Sequence, residues 1–217
     1  MTLPKVFIIG AAESAQVAGM FHRRGFQVVS TIKVADMVVF VGGSDIDTEL
    51  YGEKPIPLTF NNDTTRKRDA AEIACFRMLS KEQIKIGICR GGQLLNVLNG
   101  GKMIQNVNNH NAGGGKEHPI LIKGETTLDH VNSYHHQMMI PNFNDPTLEI
   151  IGVSAESTTR ETEKGVWHGV ASMEDDPDYE VLFYGDSNSF CFQPHPEWGT
   201  MTEHLFFKLM KKQSFYL

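Results

Sequence analysis

The chain has 217 residues, of which 41% are hydrophobic and 21% charged. That suits one buried core, is too short for two ordinary domains, and excludes a disordered polymer. A net charge of −6 argues against a nucleic-acid backbone as partner.

Taken in chain order, Lys5 to Gly10 reads as a strand and Glu13 to about Arg24 as a helix. Short strands follow at Phe26 to Ser30 and Met37 to Val41. The run Val38-Val39-Phe40-Val41 has a buried-strand pattern and ends in Gly42-Gly43, whose turn can approach a ligand with bare backbone N–H groups. Thr64 to Ser80 is the clearest helix, with Asp63 or Thr64 as its cap. The basic run at its start, Arg66-Lys67-Arg68, lies among Asp63, Asp69 and Glu72 and reads as salt-bridged. Ile84 to Ile88 is the central strand, followed by a helix to about Asn99 that Gly100-Gly101 closes. Asn106 to His118, rich in Asn and Gly, reads as a flexible loop that could gate a site. From Ile120 the pattern turns strand-rich, with Leu148 to Val153, Gly165 to Ser172, Glu180 to Tyr184 and Ser189 to Phe192. A helix from Met201 to Lys212 ends in cations that suit its dipole. The alternation predicts an α/β fold: an open, mostly parallel sheet with helices on both faces and an antiparallel edge extension, in one domain spanning 1–217. Its ligand site belongs at the carboxyl ends of the strands, where Gly42-Gly43 and residue 89 fall.

Gly87-Ile88-Cys89-Arg90-Gly91-Gly92-Gln93 carries the chemistry. A cysteine between a buried strand and a helix, flanked by glycines, has the setting of a nucleophile elbow. The helix N-terminus favours thiolate and offers N–H groups to an oxyanion. A base and its orienting group stand together downstream in Gln193-Pro194-His195-Pro196-Glu197-Trp198. Residues i and i+2 on a regular strand diverge, so the two prolines matter: they break the strand and let Glu197 turn back under His195.

The elbow with a late His-Pro-Glu resembles the class I glutamine amidotransferase superfamily. Gly42-Gly43-Ser44-Asp45-Ile46, Tyr51-Gly52-Glu53, Arg68-Asp69 with Glu72, Gly100-Gly101 and Val131-Asn132-Ser133-Tyr134-His135-His136-Gln137 are similar to its γ-glutamyl hydrolase branch. The resemblance implies Cys89 as nucleophile, His195 as base and Glu197 as orienter. It implies an oxyanion hole from the backbone N–H of Arg90 and Gly43. It assigns Gln93 to the γ-glutamyl substrate, and Ser133, Tyr134 and His135 to its α-amino-acid end, largely through backbone. Glu161 to Val170 and the Gln193-Pro194-His195 ending depart from the family pattern.

No cofactor or metal is expected. His135 and His136 point to opposite faces of a strand, His110 and His118 fall in the predicted loop, and no metal-binding motif is present. The Gly113-Gly114-Gly115-Lys116 run lacks phosphate-loop spacing. Cys75 and Cys191 read as core thiols, and three cysteines without paired spacing suit a reducing cytoplasm. No apolar run approaches the roughly 18 residues of a membrane helix, and Met1 to Lys5 lacks signal-peptide character. The expected activity is hydrolysis of a γ-glutamyl amide through a cysteine acyl-enzyme. The alternatives are a glutaminase subunit that delivers ammonia to a separate synthetase or ligase chain, and a catalytically silent binding protein. Homo-oligomers are compatible with each.

Overall fold

The computed structural model describes residues 3–9, 14–111 and 116–216. The first half alternates as read: β1 (Lys5–Ile9), α1 (Ser14–Arg23), β2 (Gln27–Val28), β3 (Met37–Phe40), α2 (Asp63–Met78), β4 (Ile84–Ile88) and α3 (Arg90–Leu98). Then come β5 (Lys102–Ile104), β6 (Asn106–Val107), β7 (Glu117–Ile122), β8 (Leu128–Asn132), β9 (Met138–Ile140) and β10 (Leu148–Ser154). The chain closes with β11 (Thr159–Thr162), β12 (Gly165–His168), β13 (Asp178–Tyr184), β14 (Ser189–Phe192) and α4 (Thr200–Lys212).

The main sheet runs β2-β1-β3-β4-β14-β13-β10-β7-β8. Its first five strands are parallel; β13, β10, β7 and β8 continue it antiparallel. The fold is therefore the expected mixed α/β sheet with an antiparallel extension. Strand β14 joins the two halves, which places the residues after it beside the end of β4.

Alternation along the strands explains the two cores. Val39, Ile86 and Ile88 face α1 and α4, joining Phe21, Phe190, Phe192 and Phe206. Val38 and Phe40 face the other side with Ile73 of α2 and Leu94 and Leu95 of α3. Every residue of β3 is buried, as a strand covered on both faces requires. Among the described residues no helix is long and apolar enough to cross a membrane.

Four expectations are corrected. The cap of α2 is Asn62, whose side chain accepts from Thr64 and Thr65 N–H, while Thr65 returns the bond as in a capping box; neither Asp63 nor Thr64 caps it. Residues 165–172 do not join the main sheet, because β12 pairs with β11 and β11 with β6 in a separate three-stranded sheet. Cys75 is half-buried, while Cys191 is in the core, where burial pushes its thiol well above the ordinary range. The predicted loop 106–118 is held down at both ends. Asn108 accepts from Thr158 and Thr159 N–H at 2.7 and 2.8 Å, Asn111 bridges Tyr134, and His110 and His118 are buried. Asn108 and Asn109 pair with the backbone of residues 156–159 and Asn106 with the side chains of Glu161 and His136, so the segment is tied down where a flexible loop was expected. Gly113 to Gly115 lie outside the described residues.

Candidate active site

Cys89 is the single residue between β4 and α3. Its φ of 49° and ψ of −113° lie in a region that a side chain enters only under strain. The strain is held by backbone bonds: Cys89 N–H donates to the Phe192 carbonyl at 2.8 Å, and Gln93 N–H to the Cys89 carbonyl at 3.0 Å. Close packing explains the neighbouring glycine at 91, where a Cβ would stand 2.0 Å from the Phe40 carbonyl oxygen.

His195 follows β14 and lies across this turn. Its backbone is gripped at two points by Asn132, whose amide donates to the His195 carbonyl at 2.6 Å and accepts from the His195 N–H at 2.9 Å. The 3-10 turn Pro196–Trp198 carries the chain back on itself, so Glu197 Oε1 meets His195 Nδ1 at 2.8 Å. An ionised carboxylate only accepts, so Nδ1 bears the proton and Nε2 is left for the sulfur. The Trp198 indole stacks on the imidazole at 3.9 Å and 7°, and its Nε1 donates to Gln16. The Tyr134 ring meets both edge-on. Gly42 seals another edge: a Cβ there would lie 2.7 Å from His195 Cε1.

Burial alone would depress the His195 pKa, but the Cys89 sulfur and the Glu197 carboxylate outweigh it and push it up to about 10. A group whose pKa rises on folding stabilises the fold fully below its unfolded value and loses that contribution as pH climbs through the folded one. The stability difference between the wild type and His195→Gln is therefore expected to narrow between pH 6.5 and about 10. Denaturant titrations of both proteins across that range check it; a widening gap would contradict the assignment.

Arg90 is the largest fully buried side chain among the described residues. Its guanidinium binds Asp69 and Glu72 of α2, tying the elbow to that helix. Glu72 also accepts from Arg68, whose Nη2 donates to the carbonyls of Val41 and Gly42 at 2.9 and 2.8 Å. Gly43, at φ +143°, has Arg68 Nη1 where a Cβ would be. One chain of charges, buried except at the half-buried Arg68, thus positions both the 42–43 turn and the start of α3.

The remaining predicted residues surround the same place with different orientations. Gln93 is buried and donates to Gln193 Oε1 at 3.3 Å, while Gln193 Nε2 lies 3.6 Å from Cys89 Sγ. Ser133 donates to the His110 carbonyl, and Tyr134 faces His195. The His135 side chain turns away toward Glu180 and its backbone N–H donates to the His110 carbonyl at 3.0 Å, so its backbone carbonyl is what remains for a substrate. Asn132, Gln193 and Trp198 were not singled out from sequence. Their adjacency to the Ser-Tyr-His and His-Pro-Glu runs was the available signal.

A family model described as Peptidase C26 matches residues 8–164. The chain belongs to the Peptidase C26 family. This Peptidase C26 chain is 31% identical over 125 residues to the glutamine amidotransferase-like protein YvdE of Lactococcus lactis, a match over 50% of the chain and 52% of the relative. It spans about half the length of the curated relatives it matches. A candidate GMP synthase subunit from Thermoplasma acidophilum has the same fold, with a TM-score of 0.61 at 11% identity over 98% of this chain and 96% of that one. A glutamine amidotransferase from Thermotoga maritima does too, with a TM-score of 0.59 at 14% identity over 98% and 84%. The Peptidase C26 chain is thus glutamine amidotransferase-like in sequence and in fold.

Proposed function

We propose that this protein hydrolyses γ-glutamyl amide bonds through a thioester on Cys89. The reading is carried by one observation: a strained cysteine at a helix start faces a histidine whose far nitrogen is held by a carboxylate at 2.8 Å. The Cys89 sulfur attacks the γ-carbonyl carbon, and the oxygen's charge is met by the N–H groups of Arg90 and Gly43. Collapse breaks the C–N bond as His195 passes a proton to the leaving amine. Water, deprotonated by His195, then cleaves the thioester, releasing glutamate and restoring the thiol. Gln93 takes part in holding the γ-glutamyl group, and the backbone of Ser133, Tyr134 and His135 receives the α-amino-acid end.

Glutamate release from free glutamine and from a panel of γ-glutamyl amines tests the reading, with Cys89→Ala as control. Preferential, Cys89-dependent cleavage of the amines is the expected result. Weak activity on free glutamine alone would replace hydrolysis by ammonia supply to a partner chain. An inert thiol at neutral pH would leave a binding protein. In the same assay His195→Ala is expected to cost more than Glu197→Gln, because the first removes the proton carrier and the second only its orienter. The reverse order would assign Glu197 another task.

A further inference from the structure

We infer that His110, His118, His135 and Glu180 form a structural site for a zinc-class transition ion. The four come from separate places: the segment after β6, strand β7, the β8–β9 connection and β13. All are buried, and one ligand atom from each lies within 4.8 Å of the others. Around a tetrahedral zinc with bonds of about 2.1 Å, neighbouring ligand atoms stand about 3.4 Å apart. Glu180 Oε1 lies 3.0 Å from His118 Nε2, 3.5 Å from His110 Nδ1 and 3.7 Å from His135 Nε2, bracketing that edge.

Unpartnered buried atoms point the same way. Among the described residues, two of the four ligand atoms, His110 Nδ1 and His135 Nε2, have no hydrogen-bond partner, while His118 Nε2 and Glu180 Oε1 pair with each other at 3.0 Å; such orphans in a protein interior are costly. An outer shell is in place as well. The other ring nitrogens of two of these histidines are engaged, His110 Nε2 with Asp178 at 2.9 Å and His135 Nδ1 with the Gln137 carbonyl at 3.0 Å. These bonds fix the tautomers that turn His110 Nδ1 and His135 Nε2 inward as acceptors. Three imidazoles and one carboxylate suit zinc, and are too poor in oxygen for magnesium or calcium. Four protein ligands close the coordination sphere, which marks a structural role. The ion would add a cross-link among segments that the His110–Asp178, His118–Glu180 and His135–His110 bonds already bring together. Glu180 also accepts the Gln193 N–H through its backbone carbonyl, one residue link from the atoms around Cys89.

Because the cluster is buried, the ion enters as the chain folds. The full chain, without a histidine tag, is expressed in medium with zinc or with cobalt and its metal counted after gel filtration. One equivalent per chain is expected, with the intense visible bands of tetrahedral cobalt. A control lacking the exposed His168 and His204, each replaced by Gln, keeps that equivalent. In His118→Gln and Glu180→Gln, affinity falls by about 100-fold or more, beyond the 10–100-fold typical of an outer-shell loss. Should these variants not fold, the wild type decides: chelation in mild denaturant lowers Tm, and zinc restores it where magnesium does not. Substoichiometric metal, cobalt bands unchanged in both ligand variants, or a Tm indifferent to chelator would each overturn the site.

Discussion

Cys89→Ala is expected to lower kcat for glutamate release by at least about 10⁴-fold, the scale on which loss of a covalent nucleophile is felt when its base and binding contacts remain. The fold should survive. The hydrogen bond that the sulfur accepts from Gln193 is a long one at 3.6 Å, and the turn is held by backbone bonds that alanine keeps. Alanine still carries a Cβ, so the strain at φ 49° stays. The variant therefore separates chemistry from stability. Unchanged circular dichroism and denaturation midpoint with turnover gone is the predicted pair of results. Turnover near the wild-type rate would sink the thioester mechanism outright.

Arg90→Met is expected to cost about 3 kcal/mol of folding stability, the low end of the range for removing one partner of a buried ion pair. The side chains of Asp69 and Glu72 are only 3% and 2% exposed, so neither can turn to water. The low end is set by the bonds each retains: Asp69 still accepts the Asp47 N–H at 2.8 Å, and Glu72 still has Arg68. Burial already pushes the Asp69 carboxyl above its ordinary value, with Arg90 pulling it back. Without Arg90 the upward push is less opposed. A carboxyl raised in the folded state destabilises at pH above that raised value, and the penalty fades as pH falls and it takes up a proton in place. The gap between wild type and Arg90→Met should therefore narrow from pH 7 toward about pH 4, where unfolded carboxylates titrate. Denaturant midpoints across that range provide the check; a gap independent of pH would mean that lost packing, not stranded charge, is the cause.

The parallel half of the fold was legible because its signals are local. An all-apolar strand such as Met37–Phe40 and a Gly-flanked cysteine between strand and helix each declare themselves within a few residues. The pairing of His195 with Glu197 was readable too, since the prolines around it forbid a regular strand. The features that escaped are non-local. Asn132 grips His195 from 63 residues away, and the register that brings them together is set by neighbouring strands. The histidines illustrate the same limit. His110 and His118 looked like loop residues in an Asn- and Gly-rich stretch, yet they are buried opposite Glu180, 62 residues beyond His118. Spacing rules work within one stretch of chain, and here four buried groups from four segments converge.

The stack of Trp198 on His195 has an optical consequence. The chain holds two tryptophans. Trp167 lies 4.6 Å beneath the Arg160 guanidinium, whereas Trp198 is in ring-to-ring contact with an imidazole. A protonated imidazole accepts charge from an excited indole and dims its emission; a neutral one does so far less. Protonation of His195 is thus expected to lower the emission of its neighbour Trp198. A pH titration of tryptophan emission, compared with that of a Trp198→Phe variant, would therefore follow the protonation of the proposed base without a label.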